Sequence, residues 1–157
     1  MLDKTDLKIL AILQHNSDIS NQALADQVAL SPSPCLRRVK QLRDAGYIKQ
    51  HVAVLDADKL GLKITVFVLV GLDSHTQEVL DGFKAAIRHL PEVTQCHLIT
   101  GQSADYLLKV CVTDIEHFRH FEFSHLLSIP GVANVQSCFA LESIIDHTAL
   151  PLAHLAG

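Results

Sequence analysis

The sequence predicts an α+β protein built as a small helical part followed by a larger part that alternates strands and helices. Three observations predict it. Apolar residues recur at helical spacing up to residue 42, each run opened by a capping residue. After residue 63, strand-like runs rich in Val and Ile alternate with two helical runs, separated by Pro and Gly breaks. Charge also divides. Residues 1–55 carry seven cations and five anions, a net of +2, whereas residues 56–157 carry six cations and twelve anions, a net of −6. Two domains with different partners are expected: 1–55, a polar linker at 56–62, and 63–157.

The first helix is expected to start after Asp3, with Asp6 favourably placed in its first turn and Leu7, Ile9, Leu10, Ile12 and Leu13 forming its apolar stripe. Asn16-Ser17-Asp18 ends it. Ser20 caps a second, short helix with Leu24, Ala25 and Val28 facing inward, and Ala29-Leu30 turns the chain into a third helix. That third helix, SPSPCLRRVKQLRDAGYIK over residues 31–49, organises the rest. Ser31 is a good N-cap, Pro32 and Pro34 suit a first turn, and Gly46 closes the helix. Leu36, Val39 and Leu42 are expected on the core face, with Cys35 at its edge. Ser33, Arg37, Lys40 and Gln41 fall opposite, flanked by Arg38. The stretch holds five cations (Arg37, Arg38, Lys40, Arg43 and Lys49) against one anion, Asp44, in a chain whose net charge is −4. Such a field attracts phosphate, although most charge runs are only solvated surface. The preceding short helix and tight turn decide for a helix-turn-helix, whose last helix enters the major groove of double-stranded DNA. Residues 47–55 have strand character, through Ile48, Val52 and Val54, and are expected to form the wing.

The second part reads as a strand at 63–71, a helix at 76–89, strands at 93–100 and 106–112, a helix from the Asp114 cap to about residue 128, and a strand at 132–141. The order β-α-β-β-α-β is that of ferredoxin-like domains. In the first strand Ile64, Val66, Val68 and Val70 point one way and Phe67 and Leu69 the other, so both faces are apolar. Two helices cover one face of an antiparallel sheet. A second copy of the same sheet is the simplest cover for the other, which predicts a homodimer.

LDKTDLKILAILQ, followed by ALADQVALSPSPCLRRVKQLRDAGYIK, closely resembles the leucine-responsive regulator / asparagine-synthase regulator (Lrp/AsnC) family of transcription factors, and the similarity continues to near residue 152. The resemblance implies a winged helix-turn-helix joined to a ferredoxin-like domain that binds an effector and oligomerises, as dimers that often assemble into octamers. It implies DNA binding through Ser31, Ser33, Pro34, Arg37, Arg38, Lys40, Gln41 and Lys49. It places a small effector, usually an amino acid, at Thr100, Gly101, Gln102, Ser103, Ala104 and Asp105, near the oligomer interface. Backbone N–H groups there suit a carboxylate, and Asp105 suits an ammonium. By spacing alone the same stretch is a hairpin turn. Family members commonly carry two residues between this glycine and aspartate; here there are three, so loop shape and effector identity do not carry over.

No cofactor motif appears: there is no phosphate loop, GxGxxG or Ser-His-Asp pattern. Cys35, Cys96, Cys111 and Cys138 lack CxxC spacing and are expected to be buried hydrophobes. Cys96 and His97 are strand neighbours and face opposite sides, which argues against a catalytic pair. His117 and His120, at i and i+3, lack a completing ligand set for a metal. Lys109, in an otherwise apolar strand, reads as a rim residue. No apolar run spans a bilayer and the N-terminus lacks a signal-peptide layout, so a cytoplasmic protein without a membrane partner is expected. The expected function is a sequence-specific transcription regulator of amino-acid-related metabolism, not an enzyme. The alternatives are an enzyme on the same two-domain plan, such as a sirohaem decarboxylase, and an effector sensor that does not bind DNA.

Overall fold

The computed structural model describes residues 2–100 and 104–155. The chain forms two compact units, Met1–Val54 with Ile145–Gly157, and Leu55–Ile144. The expected second domain ran to residue 157. Its unit instead ends at Ile144, because the tail returns to the first unit: the Gln14 side-chain amide donates to the Leu150 carbonyl at 3.1 Å and accepts from the Leu150 N–H at 2.8 Å.

The first unit holds α1 (Lys4–Leu13), α2 (Asn21–Gln27) and α3 (Pro32–Asp44). Asp3 and Asp6 cap α1 reciprocally, each carboxylate accepting the other's backbone N–H. Ser20 caps α2 through the Ala23 N–H. Ile9, Leu24, Ala25, Val28, Cys35 and Leu42 form the core. α2 and α3 each end in a Schellman closure. In α3 the C′ residue is Gly46 at φ +78°, with Tyr47 N–H donating to the Leu42 carbonyl and Gly46 N–H to that of Arg43. In α2 the C′ residue is Ala29 at φ +55°, with Leu30 N–H donating to Ala25 and Ala29 N–H to Asp26.

Two expectations for this unit are corrected. Cys35 is fully buried while Leu36 is 58% exposed, so the core stripe of α3 runs 35–39–42. The expected strand at 47–55 does not form: among the described residues none joins this segment in a ladder, and Val52, Val54 and Leu55 lie exposed. A strand needs a partner ladder, and strand propensity alone supplies none.

The second unit holds β1 (Ile64–Leu72), α4 (Gln77–Ile87), β2 (Val93–Leu98), β3 (Tyr106–Val112), α5 (Ile115–Phe121) and β4 (Val132–Phe139). The sheet is antiparallel in the order β2-β3-β1-β4, the ferredoxin-like arrangement expected. Thr76 and Asp114 cap the two helices. α5 runs on into a π-helical turn, Glu122–Leu126, closed by Leu127 N–H to the Glu122 carbonyl. On the helix side of the sheet, Val66, Val68, Val70, Leu108, Val110 and Val112 are buried against Phe83, Ile87, Phe118, Phe121 and Leu126. Gly131 enters β4 at φ +89°, where a Cβ would stand 2.6 Å from the Val79 side chain.

The other face carries Phe67 paired across the ladder with Lys109 and Cys138, and Leu69 paired with Leu107 and Gln136. Phe67 is 40% exposed there. Only Cys35 is buried; Cys111 is half-buried, while Cys96 and Cys138 are exposed, so the expectation of four buried thiols holds for one. Cys96 pairs with Leu108 and His97 with Leu107, which puts the two on opposite faces as expected. Among the described residues no helix is long and apolar enough to cross a membrane.

Candidate nucleic-acid interface and effector loop

α3 is set against α2 by the tight turn at Ala29 and by Asn21, whose side-chain amide donates to the Pro32 carbonyl at 2.9 Å. With Cys35, Val39 and Leu42 turned inward, Ser33, Leu36, Arg37, Lys40 and Gln41 are exposed along α3, and Arg43 and Lys49 are exposed beyond them. Arg43 lies 3.3 Å from His51 Nε2. Among the described residues none forms a hydrogen bond or ion pair with the Arg37 or Lys40 side chain, so both cations are available to an anion. Ser31 is exposed and Pro34 half-buried at the start of the helix.

Two candidate residues behave differently from expectation. Ser31 occupies the N-cap position, but its hydroxyl makes no capping bond. Pro32 and Pro34 lack N–H groups, and Cys35 N–H donates to the Ser31 carbonyl at 3.2 Å, so the first turn has one orphan donor, the Ser33 N–H, to offer a phosphate. Arg38 is not free to reach a base edge with its whole fork. Its Nη1 donates to Asp3 Oδ2 at 2.6 Å and to Asp6 Oδ1 at 2.8 Å. These bonds hold the Asp3 carboxyl below its ordinary pKa, behind the larger effect of the Asp6 N–H, and raise that of Arg38.

Of the effector-loop residues, Gly101, Gln102 and Ser103 lie outside the described residues. Thr100 is exposed; Ala104 and Asp105 are half-buried. Asp105 Oδ2 accepts the Leu72 N–H at 2.7 Å and Oδ1 lies 2.6 Å from His75 Nε2. The Leu72 bond, and then His75, hold the Asp105 carboxyl below its ordinary pKa. Sequence reasoning missed His75. Nothing in its spacing marks it, because the partner is 30 residues away across the sheet end. Tyr106 is 2% exposed and stacks 4.5 Å from Phe83, and its buried hydroxyl has no hydrogen-bond partner among the described residues. Burial pushes its pKa up. At the same end of the sheet an open cleft of about 420 Å³ is lined by Asp73, Glu78, Val79, Gly82, Pro130 and Gly131.

Of the other histidines, His117, His120 and His125 have local partners. His117 Nε2 lies 3.3 Å from Glu92 and its Nδ1 3.2 Å from the Thr113 hydroxyl, so it is tied down rather than left in water. His120 Nδ1 lies 3.3 Å from the Ser124 hydroxyl, and its ring stacks edge-on to that of His125.

Comparison with known proteins places both halves. Residues 2–49 match the winged helix-turn-helix DNA-binding family model, and residues 65–150 match the Lrp/AsnC ligand binding domain. The DNA-binding transcriptional activator DecR of Escherichia coli (strain K12) is 40% identical over 97% of this chain and 99% of its own length. The Bkd operon transcriptional regulator of Pseudomonas aeruginosa is 41% identical over 96% of this chain and 98% of its own. Among solved structures, a transcriptional regulator from Neisseria meningitidis in complex with L-Met superposes with a TM-score of 0.95 at 45% identity, covering 99% of each chain.

Proposed function

The chain belongs to the Lrp/AsnC family of DNA-binding transcription regulators, and from that premise we propose how this member works. It acts in the cytoplasm as a homo-oligomer whose two-fold partner presents a second α3, so that a pair of helices reads a pseudo-palindromic site. Its targets are genes of amino-acid metabolism and its effector is an L-amino acid; the L-Met complex of the Neisseria relative and the operon-regulator name of the Pseudomonas relative support this. The names of the relatives likewise support a regulator rather than an enzyme.

The observation that carries the reading is the exposed pair Arg37 and Lys40 on the outward side of α3, one helical turn apart, whose side chains bond to none of the described residues. The half-exposed Phe67 on the uncovered sheet face supports association of the second unit with its copy. In this arrangement the effector shifts the equilibrium between assembly states by binding them with different affinity.

Two measurements test it. Fluorescence anisotropy against duplex DNA from upstream of its own gene should show tighter binding than to a scrambled duplex; equal affinity for both removes sequence-specific recognition. A thermal-shift screen of the common amino acids should show concentration-dependent stabilisation by one or a few, and no response from any of them removes the amino-acid effector.

A further inference from the structure

We propose that Arg38 is a positioning residue for DNA binding: it braces the recognition helix against the acidic cap of α1 and screens that cap's charge from the DNA, instead of reading a base. The inference rests on the DNA-binding reading above and adds a role to a residue that its position alone marks as a reader.

The geometry assigns every oxygen of two carboxylates. Asp3 Oδ1 accepts the Asp6 N–H at 2.8 Å, and Asp6 Oδ2 accepts the Asp3 N–H at 3.1 Å. The two oxygens left over, Asp3 Oδ2 and Asp6 Oδ1, converge on the single nitrogen Arg38 Nη1. Capping therefore fixes both carboxylates before Arg38 arrives, and the guanidinium closes a preformed anionic notch. The contact joins α1 to α3 across 32 and 35 residues of sequence. It lies beside the apolar contact of the two helices, where Ile9, Cys35 and Leu42 share one core. The apolar packing of Ile9, Cys35 and Leu42 is non-directional. The charge-assisted bond on the flank of α3 is directional, and it helps to fix the direction in which Ser33, Arg37 and Lys40 point.

The second consequence is electrostatic. Asp3 and Asp6 place two negative charges within reach of α3, in a unit whose cationic face must approach phosphate. With Arg38 in place, one positive charge sits between them. Without it, both carboxylates face solvent unpaired and repel the duplex whatever its sequence.

The test titrates the full-length protein, by fluorescence anisotropy, against the upstream duplex and a scrambled duplex. Arg38→Ala should weaken binding to both duplexes, by about tenfold on the scrambled one and by more on the upstream one, where a misdirected Arg37 adds to the loss. Adding Asp3→Asn and Asp6→Asn to Arg38→Ala should recover most of the loss on the scrambled duplex, because asparagine still caps α1 but carries no charge. A loss confined to the upstream duplex and not recovered by the asparagines would show that Arg38 reads a base, and would overturn the proposal. A merely structural role would lower the melting temperature and leave the affinity of the folded protein intact, which also overturns it. If Arg38→Ala melts the first unit, Arg38→Gln, which retains one donor group for the notch, is carried through the same titrations with the same expectations.

Discussion

The Asp105 carboxylate lies 2.6 Å from His75 Nε2 while its second oxygen accepts the Leu72 N–H at 2.7 Å, so one side chain ties the start of β3 to the end of β1 and to the segment beyond it. The anchor sits where the register of β1 against β4 shifts, between Gly71 and Leu72, and where the ladder alone holds the strand less well. Asp105→Ala leaves the Leu72 N–H without its acceptor and is expected to cost about 1–3 kcal/mol.

The charge of Asp105 gives a pH signature. Its folded pKa is held below the ordinary carboxylate value, by the Leu72 N–H first and His75 second. Its ionised form therefore contributes stability that is present in full above the ordinary value of about 3.9. That contribution disappears as pH falls through the lowered folded value. Asp105→Asn keeps an acceptor but no charge. The melting-temperature gap between the native protein and Asp105→Asn should be widest near neutrality and narrow below about pH 4. A gap that does not change down to pH 2 would show that the carboxylate charge contributes nothing.

Ala29 occupies the C′ position of α2 at φ +55°, a conformation that costs an alanine roughly 1–2 kcal/mol and a glycine almost nothing. Glycine gives back part of this through the larger entropy of its unfolded chain. Ala29→Gly should therefore raise the stability of the first unit by about 0.5–1 kcal/mol, read as a higher midpoint when helix loss is followed by circular dichroism. A lower midpoint would mean that the Ala29 methyl makes packing contacts worth more than its strain.

What the sequence reveals here is what depends on local periodicity. The two-residue alternation of β1 assigns Val66, Val68 and Val70 to one face and Phe67 to the other, and in the structure the first of these faces is the core. Caps at Asp3, Ser20 and Asp114 are visible because capping needs only a few neighbouring residues. The misreadings share one cause, a partner far away in sequence. Cys35 and Leu36 are both apolar and adjacent, so tertiary contact alone chooses between them. Arg38 looks like any exposed arginine of a basic helix until Asp3 and Asp6 arrive from more than thirty residues upstream. His75 acquires meaning only opposite Asp105. Val52 and Val54 have strand propensity without a strand to join.

The tail is held to α1 by the same kind of distant pairing. Gln14 meets the backbone of Leu150 with both a donor and an acceptor, in the manner of a neighbouring strand, across 136 residues of sequence. Each bond is exposed to water and contributes on the order of 0.5–1.5 kcal/mol. Gln14→Ala should therefore release the tail without unfolding the helices. Hydrogen exchange at the Leu150 amide should accelerate, while the amides inside α1 keep their protection. If the Leu150 amide exchanges at the same rate in both proteins, the bonds to Gln14 do not hold the tail.

Arg37 and Lys40 share the exposed side of α3, yet their chemistry predicts different losses. The Arg37 guanidinium presents a planar fork that matches the two acceptors on a guanine edge; the Lys40 ammonium is a point charge suited to phosphate. Leu36 beside them offers an apolar surface of the kind that meets a thymine methyl. Arg37→Ala is expected to cost about 1–3 kcal/mol on the upstream duplex and much less on a scrambled one, so that discrimination falls. Lys40→Ala is expected to weaken both duplexes alike and to lower the slope of log affinity against log salt by about one unit. The two variants are separated by a salt series on both duplexes. A uniform loss from Arg37→Ala, with a reduced salt slope, would move Arg37 to the phosphates and leave base reading to Ser33, Gln41 and Leu36.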